Sequence, residues 1–211
     1  GGAITTNDKN LYEKMKVLRN HGIVRSENDF ENMNMAFTDY NGEKQLNMWY
    51  YEMHYLAHNF RLTDFQCALG NSQLKKLDNF IKKRKHIAKL YTELIKKIID
   101  LDISLPLVPK NIDHAYHLFM VFINFDKIIG GRAKFMKFLL DSNIQTQVHY
   151  IPIHLQPYYR ENYRKKFNLT NSEIFYNKTL SLPIFPEMTD DHVRYIVKKV
   201  QEGLKILKIQ N

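Results

Sequence analysis

Four short stretches of this 211-residue sequence carry side chains whose types and spacing suit chemistry. The first is Asn59-Phe60-Arg61-Leu62-Thr63-Asp64. Asn59 offers two amide donors, and Arg61 offers a planar guanidinium fork that matches a carboxylate or a phosphate. Thr63-Asp64-Phe65-Gln66 has the spacing of a capping box, so a helix N-terminus should begin directly beside the pair. Its free N–H groups and positive dipole end would make an anion site. The bland alternative is that Arg61 pairs with Asp64 or another surface carboxylate, and on these residues alone it is the more economical reading. The second stretch is His149-Tyr150-Ile151-Pro152-Ile153-His154, whose histidines and tyrosine can donate to a sugar or phosphate or move a proton. Each can equally satisfy a backbone carbonyl nearby. The third is His54 and His58, which would share a face of a helix. No Glu adjoins His54 as in the zinc-protease pattern, and Asn59-Phe60 reads as a turn, so no metal site is expected. None is expected at His149 and His154 either, since no carboxylate or Cys ligand stands beside them. The fourth is Trp49-Tyr50-Tyr51, able to stack on a base or sugar, or to anchor a loop on the core.

The elements that must position these residues can be read from periodicity and caps. Ala3-Ile4-Thr5-Thr6 reads as the inside of a strand. Asn7 or Asp8 can cap a helix carrying Leu11, Met15 and Leu18 on one face, ended by His21-Gly22. Residues 24–45 are polar and weakly periodic, and read as a long surface loop. The helix opened by Thr63 runs on through Leu69, Leu77, Phe80, Ile81, Ala88, Tyr91, Ile95 and Ile98, with Gly70 inside it. Past Leu105-Pro106, residues 117–125 form an apolar strand, and Gly130-Gly131 precedes a helix with Phe135, Phe138 and Leu139. Ile144, Thr146 and Val148 alternate as a second strand. Residues 171–180 form a short helix, Leu182-Pro183-Ile184 is extended, and Thr189 caps a last helix with Val193, Ile196, Val197, Val200, Leu204 and Leu207 on one face. The order predicts a small α/β or α+β domain at the end of the chain.

Composition agrees with a globular chain: 44% apolar, 25% charged and 13% aromatic, so disorder is excluded. No stretch is long and apolar enough for a transmembrane helix, and the N-terminus has neither the basic start nor the apolar centre of a signal peptide. One cysteine, Cys67, rules out an intrachain disulfide and fits a reducing cytoplasm. It is expected to be a buried small residue rather than a nucleophile. The net charge of +9 suits an anionic substrate or nucleic acid, but the lysines are spread along the chain.

Six pieces in order carry a resemblance: Gly1-Gly2-Ala3-Ile4-Thr5-Thr6-Asn7-Asp8; Leu18-Arg19-Asn20-His21-Gly22-Ile23; residues 59–70; Gln73-Leu74-Lys75-Lys76-Leu77-Asp78; residues 148–154; and Leu180-Ser181-Leu182-Pro183-Ile184-Phe185-Pro186. In these the chain resembles the DegT/StrS family of sugar aminotransferases. Trp49-Tyr50-Tyr51-Glu52 and Leu155-Gln156-Pro157-Tyr158-Tyr159 point, within it, to the members of the pseudaminic-acid pathway.

The resemblance implies an α/β, aspartate-aminotransferase-like fold (PLP fold type I), with residues 1–84 as the end of the large domain and 85–211 as a small C-terminal domain. It implies pyridoxal 5'-phosphate as cofactor, glutamate as amino donor and a UDP-linked 4-keto-6-deoxy sugar as acceptor. It also implies a cytoplasmic homodimer whose active site is shared between subunits. Asn59 would reach across to the cofactor phosphate. Arg61 would meet an anionic group of glutamate or UDP, and His149, Tyr150 and, less directly, His154 would lie near the sugar. The family's Schiff-base lysine and the aspartate that pairs with the pyridine nitrogen would both precede Gly1. The chain alone is therefore expected not to transaminate. Two rival readings are a regulatory or nucleic-acid-binding protein, and a PLP-dependent sugar dehydratase with histidine in place of that lysine.

Overall fold

The computed structural model describes residues 2–162 and 167–209. The chain divides into two compact units, Gly1–Leu74 and Lys75–Asn211. The expected boundary at residues 84 and 85 falls ten residues later, inside a continuous helix of the second unit.

In the first unit, helix α1 (Lys9–Arg19) begins where the Asp8 carboxylate accepts from the Leu11 N–H at 3.1 Å. Strand β1 (Ile23–Val24) pairs antiparallel with β4 (Glu52–Met53), while the one-turn helix α2 (Met33–Ala36) leads into β2 (Phe37–Tyr40), which forms a hairpin with β3 (Glu43–Leu46). The polar stretch expected to be a loop thus contains a hairpin. Its strands are almost wholly exposed, so no apolar alternation marks them. The signal lies in Asn41-Gly42, both left-handed at φ 54° and 84°, the conformation that a tight two-residue hairpin turn requires. The core of this unit is small: Val24, Phe30 and Ala36, with Val17, Phe37 and Tyr50 packed against them. Ala3 to Thr6 join no strand. Helix α3 (Asp64–Leu74) closes the unit and buries none of its residues, so Cys67 is exposed rather than buried.

In the second unit, α4 (Leu77–Lys96) is separate from α3; the single long helix expected here is broken at Lys75-Lys76. Three strands, β5 (Ile103–Ser104), β6 (Phe119–Ile123) and β7 (Thr179–Leu182), form an antiparallel sheet in the order β5-β6-β7. Along β6, Phe119, Val121 and Ile123 are buried and the residues between them are half-exposed, the period of a one-sided strand. Helices α5 (Gly131–Asp141), α6 (Pro157–Asn162), α7 (Thr170–Lys178) and α8 (Asp190–Ile206) complete the unit. The side chains of α4, α5 and α8 meet the sheet in one core that includes Tyr91, Phe135, Leu139, Val193 and Val200. Tyr91 stacks on Phe119 with ring centroids 4.7 Å apart, and its hydroxyl donates to the Pro183 carbonyl at 2.9 Å. Helix α8 carries the expected cap: the Thr189 hydroxyl accepts from the His192 N–H, and His192 Nδ1 reaches back to the Thr189 N–H.

Two further expectations fail in this unit. Residues 144–148 form no strand, because only one rung, Gln147 opposite Ser181, joins them to the sheet. The end of the expected helix at 171–180 is instead the start of β7, whose four residues are all buried and so show no period. Among the described residues, no helix is long and apolar enough to cross a membrane.

Candidate functional site

Asn59 and Arg61 are set in place by the turn that ends α1. The Asn20 N–H donates to Val17, and the next two residues, His21 and Gly22, are left-handed at φ 58° and 70°. This turns the chain so that residues 19–21 lie antiparallel to 58–60. The Phe60 N–H donates to the Arg19 carbonyl at 2.9 Å, the His21 N–H donates to the His58 carbonyl at 3.1 Å, and Asn20 lies opposite Asn59. Only glycine fits the bend, since a Cβ on Gly22 would lie 1.8 Å from the Tyr55 carbonyl oxygen. Across this rung Arg61 Nη1 donates to Asn20 Oδ1. The Asn59 Oδ1 accepts from the Arg61 backbone N–H at 3.2 Å. Arg61 therefore meets a neutral amide, not Asp64 or another carboxylate, and its charge is not cancelled among the described residues. Both side chains are exposed, and Asn59 Nδ2 donates to no group among the described residues.

Directly after them the capping box forms as expected. The Thr63 N–H donates to Gln66 Oε1 at 2.9 Å and the Gln66 N–H donates to Thr63 Oγ1 at 3.3 Å. An amide, a guanidinium and a helix N-terminus thus follow one another within eight residues of chain, a donor set suited to an anion.

A second cluster in this unit, not anticipated from the sequence, centres on Glu52. Its buried carboxylate accepts from the Glu31 N–H at 2.9 Å, the Asn32 N–H at 2.8 Å and the Tyr50 hydroxyl at 2.8 Å, and it meets His54 Nε2 at 2.7 Å. The Glu31 N–H, more than the other donors, holds its pKa down at about 2 against the opposing pull of burial. Burial, and then the same carboxylate, push the Tyr50 phenol up. The spacing carried the signal: Tyr50, Glu52 and His54 alternate on one face of an extended segment, not on a helix. His54 is thus engaged by Glu52. Of the aromatic triad, Tyr50 is the anchor, set edge-on to Phe30 at 4.9 Å, while Trp49 and Tyr51 are exposed. The Arg25 guanidinium lies over the Tyr51 ring at 5.5 Å.

In the second unit, His149 Nδ1 meets Ser181 Oγ at 2.8 Å, on the same strand residue that pairs with Gln147. The exposed Tyr150 ring stands edge-on to His149 at 4.7 Å. His149 borders two open cavities. One, of about 580 Å³, is lined by Thr146, Ser181, Phe185 and Tyr195 among others. The other, of about 630 Å³, is lined by Tyr150, Pro152 and Phe175. His154 differs. Its side chain is 8% exposed and its Nε2 lies 2.9 Å from Glu173 Oε1, so it ties the turn at Ile153–Leu155 to α7. Both histidines are satisfied by side chains, not by backbone carbonyls. Among the described residues, no group of three or more His, Cys, Asp or Glu side chains is placed to hold a metal ion.

The fold matches solved sugar aminotransferases of PLP fold type I. Helicobacter pylori PseC, an aminotransferase involved in pseudoaminic acid biosynthesis, aligns with a TM-score of 0.77 at 28% identity, over 95% of this chain and 48% of that one. The family model described as the DegT/DnrJ/EryC1/StrS aminotransferase family matches residues 1–201, and the chain belongs to that family. Among curated relatives, an uncharacterized protein of Methanocaldococcus jannaschii, MJ1066, is 38% identical over 96% of this chain and 49% of its own length. The spore coat polysaccharide biosynthesis protein SpsC of Bacillus subtilis is 34% identical over 97% and 50%. The UDP-4-amino-4,6-dideoxy-N-acetyl-beta-L-altrosamine transaminase of Helicobacter pylori is 32% identical over 100% and 50%. The chain spans about half the length of the curated relatives it matches.

Proposed function

We propose that this chain is the C-terminal part of a PLP-dependent aminotransferase that moves an amino group from glutamate to C4 of a UDP-linked 4-keto-6-deoxy sugar. By this reading the protein is a cytoplasmic homodimer that serves nucleotide-sugar and cell-surface glycan synthesis. The first unit is the end of its large domain and the second is its small domain. The observation that carries the reading is the Asn59–Arg61 strand docked on Asn20 beside the capped start of α3, in a chain of this family.

The residues present fit a phosphorylated cofactor. The Asn59 amide keeps its two Nδ2 protons for an acceptor, and α3 begins five residues later with a positive dipole end. Pyridoxal phosphate, when bound, supplies the electron sink that lets an amino group pass between donor and acceptor. Asn59 binds and orients the phosphate by donating from Nδ2. Arg61 binds a carboxylate or diphosphate oxygen through its fork. His149, its ring fixed by Ser181, donates to a sugar hydroxyl from Nε2, and Tyr150 does so from its hydroxyl. His154 supports that loop through Glu173.

The test is turnover by the native-length protein supplied with PLP, glutamate and a UDP-4-keto-6-deoxy sugar, read as amino sugar by mass spectrometry. A folded protein that forms none overturns the reading. Asn59→Ala should release PLP more readily, and cofactor affinity equal to that of the unaltered protein would remove Asn59 from the site.

A further inference from the structure

We propose that Asn20 is a positioning residue, which aims the Arg61 guanidinium with its side chain and sets Asn59 beside it with its backbone, without cancelling the arginine's charge. This rests on the reading of Arg61 as an anion-binding residue. It goes beyond that reading in assigning a role to a residue outside the Asn59 motif.

Three observations carry it. Arg61 is an exposed, long side chain, and the one side-chain hydrogen bond it makes among the described residues goes to Asn20 Oδ1. A guanidinium has five N–H donors, so a single amide oxygen fixes the fork while leaving donors for a ligand. A carboxylate at residue 20 would fix it equally well but would neutralise it. Second, Asn20 faces Asn59 across the backbone rung, flanked by the two hydrogen bonds of Arg19 with Phe60 and His21 with His58. Asn59 and Arg61 are two apart on an extended segment, which puts them on one face. Third, the rung is itself anchored. Asn20 ends α1, and the left-handed pair His21-Gly22 locks the turn against Tyr55. One residue thus controls both members of the candidate anion site.

The experiment uses the intact chain with arginine labelled for side-chain NMR, and inorganic pyrophosphate as the probe in calorimetry. In the unaltered protein Arg61 should show slowed guanidinium rotation. In Asn20→Ala that rotation should become fast, while the His21 and Phe60 amide shifts that report the rung stay in place. Pyrophosphate affinity should fall about tenfold, as expected for a charge-assisted bond made less often. In Asn20→Asp, Arg61 should stay ordered yet bind pyrophosphate no better than in Asn20→Ala. In an Arg61→Ala background, Asn20→Ala should change affinity no further.

Unchanged rotation in Asn20→Ala overturns the proposal. So does full affinity in Asn20→Asp, or an equal loss with and without Arg61. If the alanine variant fails to fold, the aspartate variant alone still decides, through its combination of order and weak binding. Should the unaltered protein bind no pyrophosphate, the anion reading of Arg61 falls and the electrostatic half of the proposal with it. The rotation measurement would then decide whether Asn20 holds the side chain.

Discussion

Replacing Gly22 with alanine separates the conformational need for glycine from the steric one. At φ 70° any L-residue is strained, by roughly 1–2 kcal/mol. The added Cβ would also sit 1.8 Å from the Tyr55 carbonyl oxygen, which is backbone and cannot swing aside. Restoring an ordinary contact needs a shift of more than about 1 Å, enough to break the 2.9 Å bond from the His54 N–H to the Gly22 carbonyl, for a further loss of about 1 kcal/mol. The total is about 2–3 kcal/mol. Gly42 supplies the control: its φ is 84°, yet a Cβ there meets nothing within 4 Å, so Gly42→Ala should cost only the strain of about 1–2 kcal/mol. The assay is urea unfolding of the two variants beside the unaltered chain, followed by the tryptophan fluorescence of Trp49. Equal midpoints for the two variants would refute the steric argument. A Gly22→Ala protein that keeps slow Arg61 rotation would refute the link from the turn to the site.

Tyr91→Phe keeps the stacked ring but leaves the Pro183 carbonyl without its donor, and should lower stability by about 1–2 kcal/mol in thermal unfolding. Gly203→Ala forces a methyl to within 2.9 Å of the Phe135 and Phe138 rings, so an overpacking loss of about 1–3 kcal/mol is expected in the same assay. The Glu52 carboxylate is held down at about 2 in the fold, below its unfolded value of about 4.3. Its stabilising contribution is therefore present above pH 4.3 or so and is lost as pH falls towards 2. Glu52→Gln should flatten the acid limb of an unfolding-versus-pH curve, and an unaltered limb would show that the cluster contributes nothing.

What the sequence disclosed about this molecule followed the strength of the local signal. Caps at Asp8, Thr63 and Thr189 were legible because a side-chain oxygen three residues before its N–H partner is a purely local device. The strand β6 was legible because Phe119 to Ile123 is an unbroken apolar run. Strand β7 was not, since burial on both faces erases the period and the preceding helix runs into it without a breaker. The break between α3 and α4 at Lys75-Lys76 carries no glycine or proline, so nothing local announces it. At the candidate site the types of Asn59 and Arg61 were informative. Their partner Asn20 was out of reach of pattern reading, because a hydrogen bond across 41 residues depends on the turn at His21-Gly22. Glu52 stayed hidden for a different reason: an acidic residue is expected at the surface unless donors converge on it, and two of its donors are backbone N–H groups.

The rung between Gln147 and Ser181 has a bearing on solubility. Ser181 gives its N–H to Gln147 and takes one back, at 2.8 and 3.2 Å, on the side of β7 away from β6. Beyond that rung, Thr179-Leu180-Ser181-Leu182 is the outermost strand of its sheet and carries no charge to deter a foreign strand. The segment that presents His149 and Tyr150 therefore doubles as an edge guard. Variants that loosen residues 147–150 should be screened for self-association before a loss of binding is read as a loss of contacts.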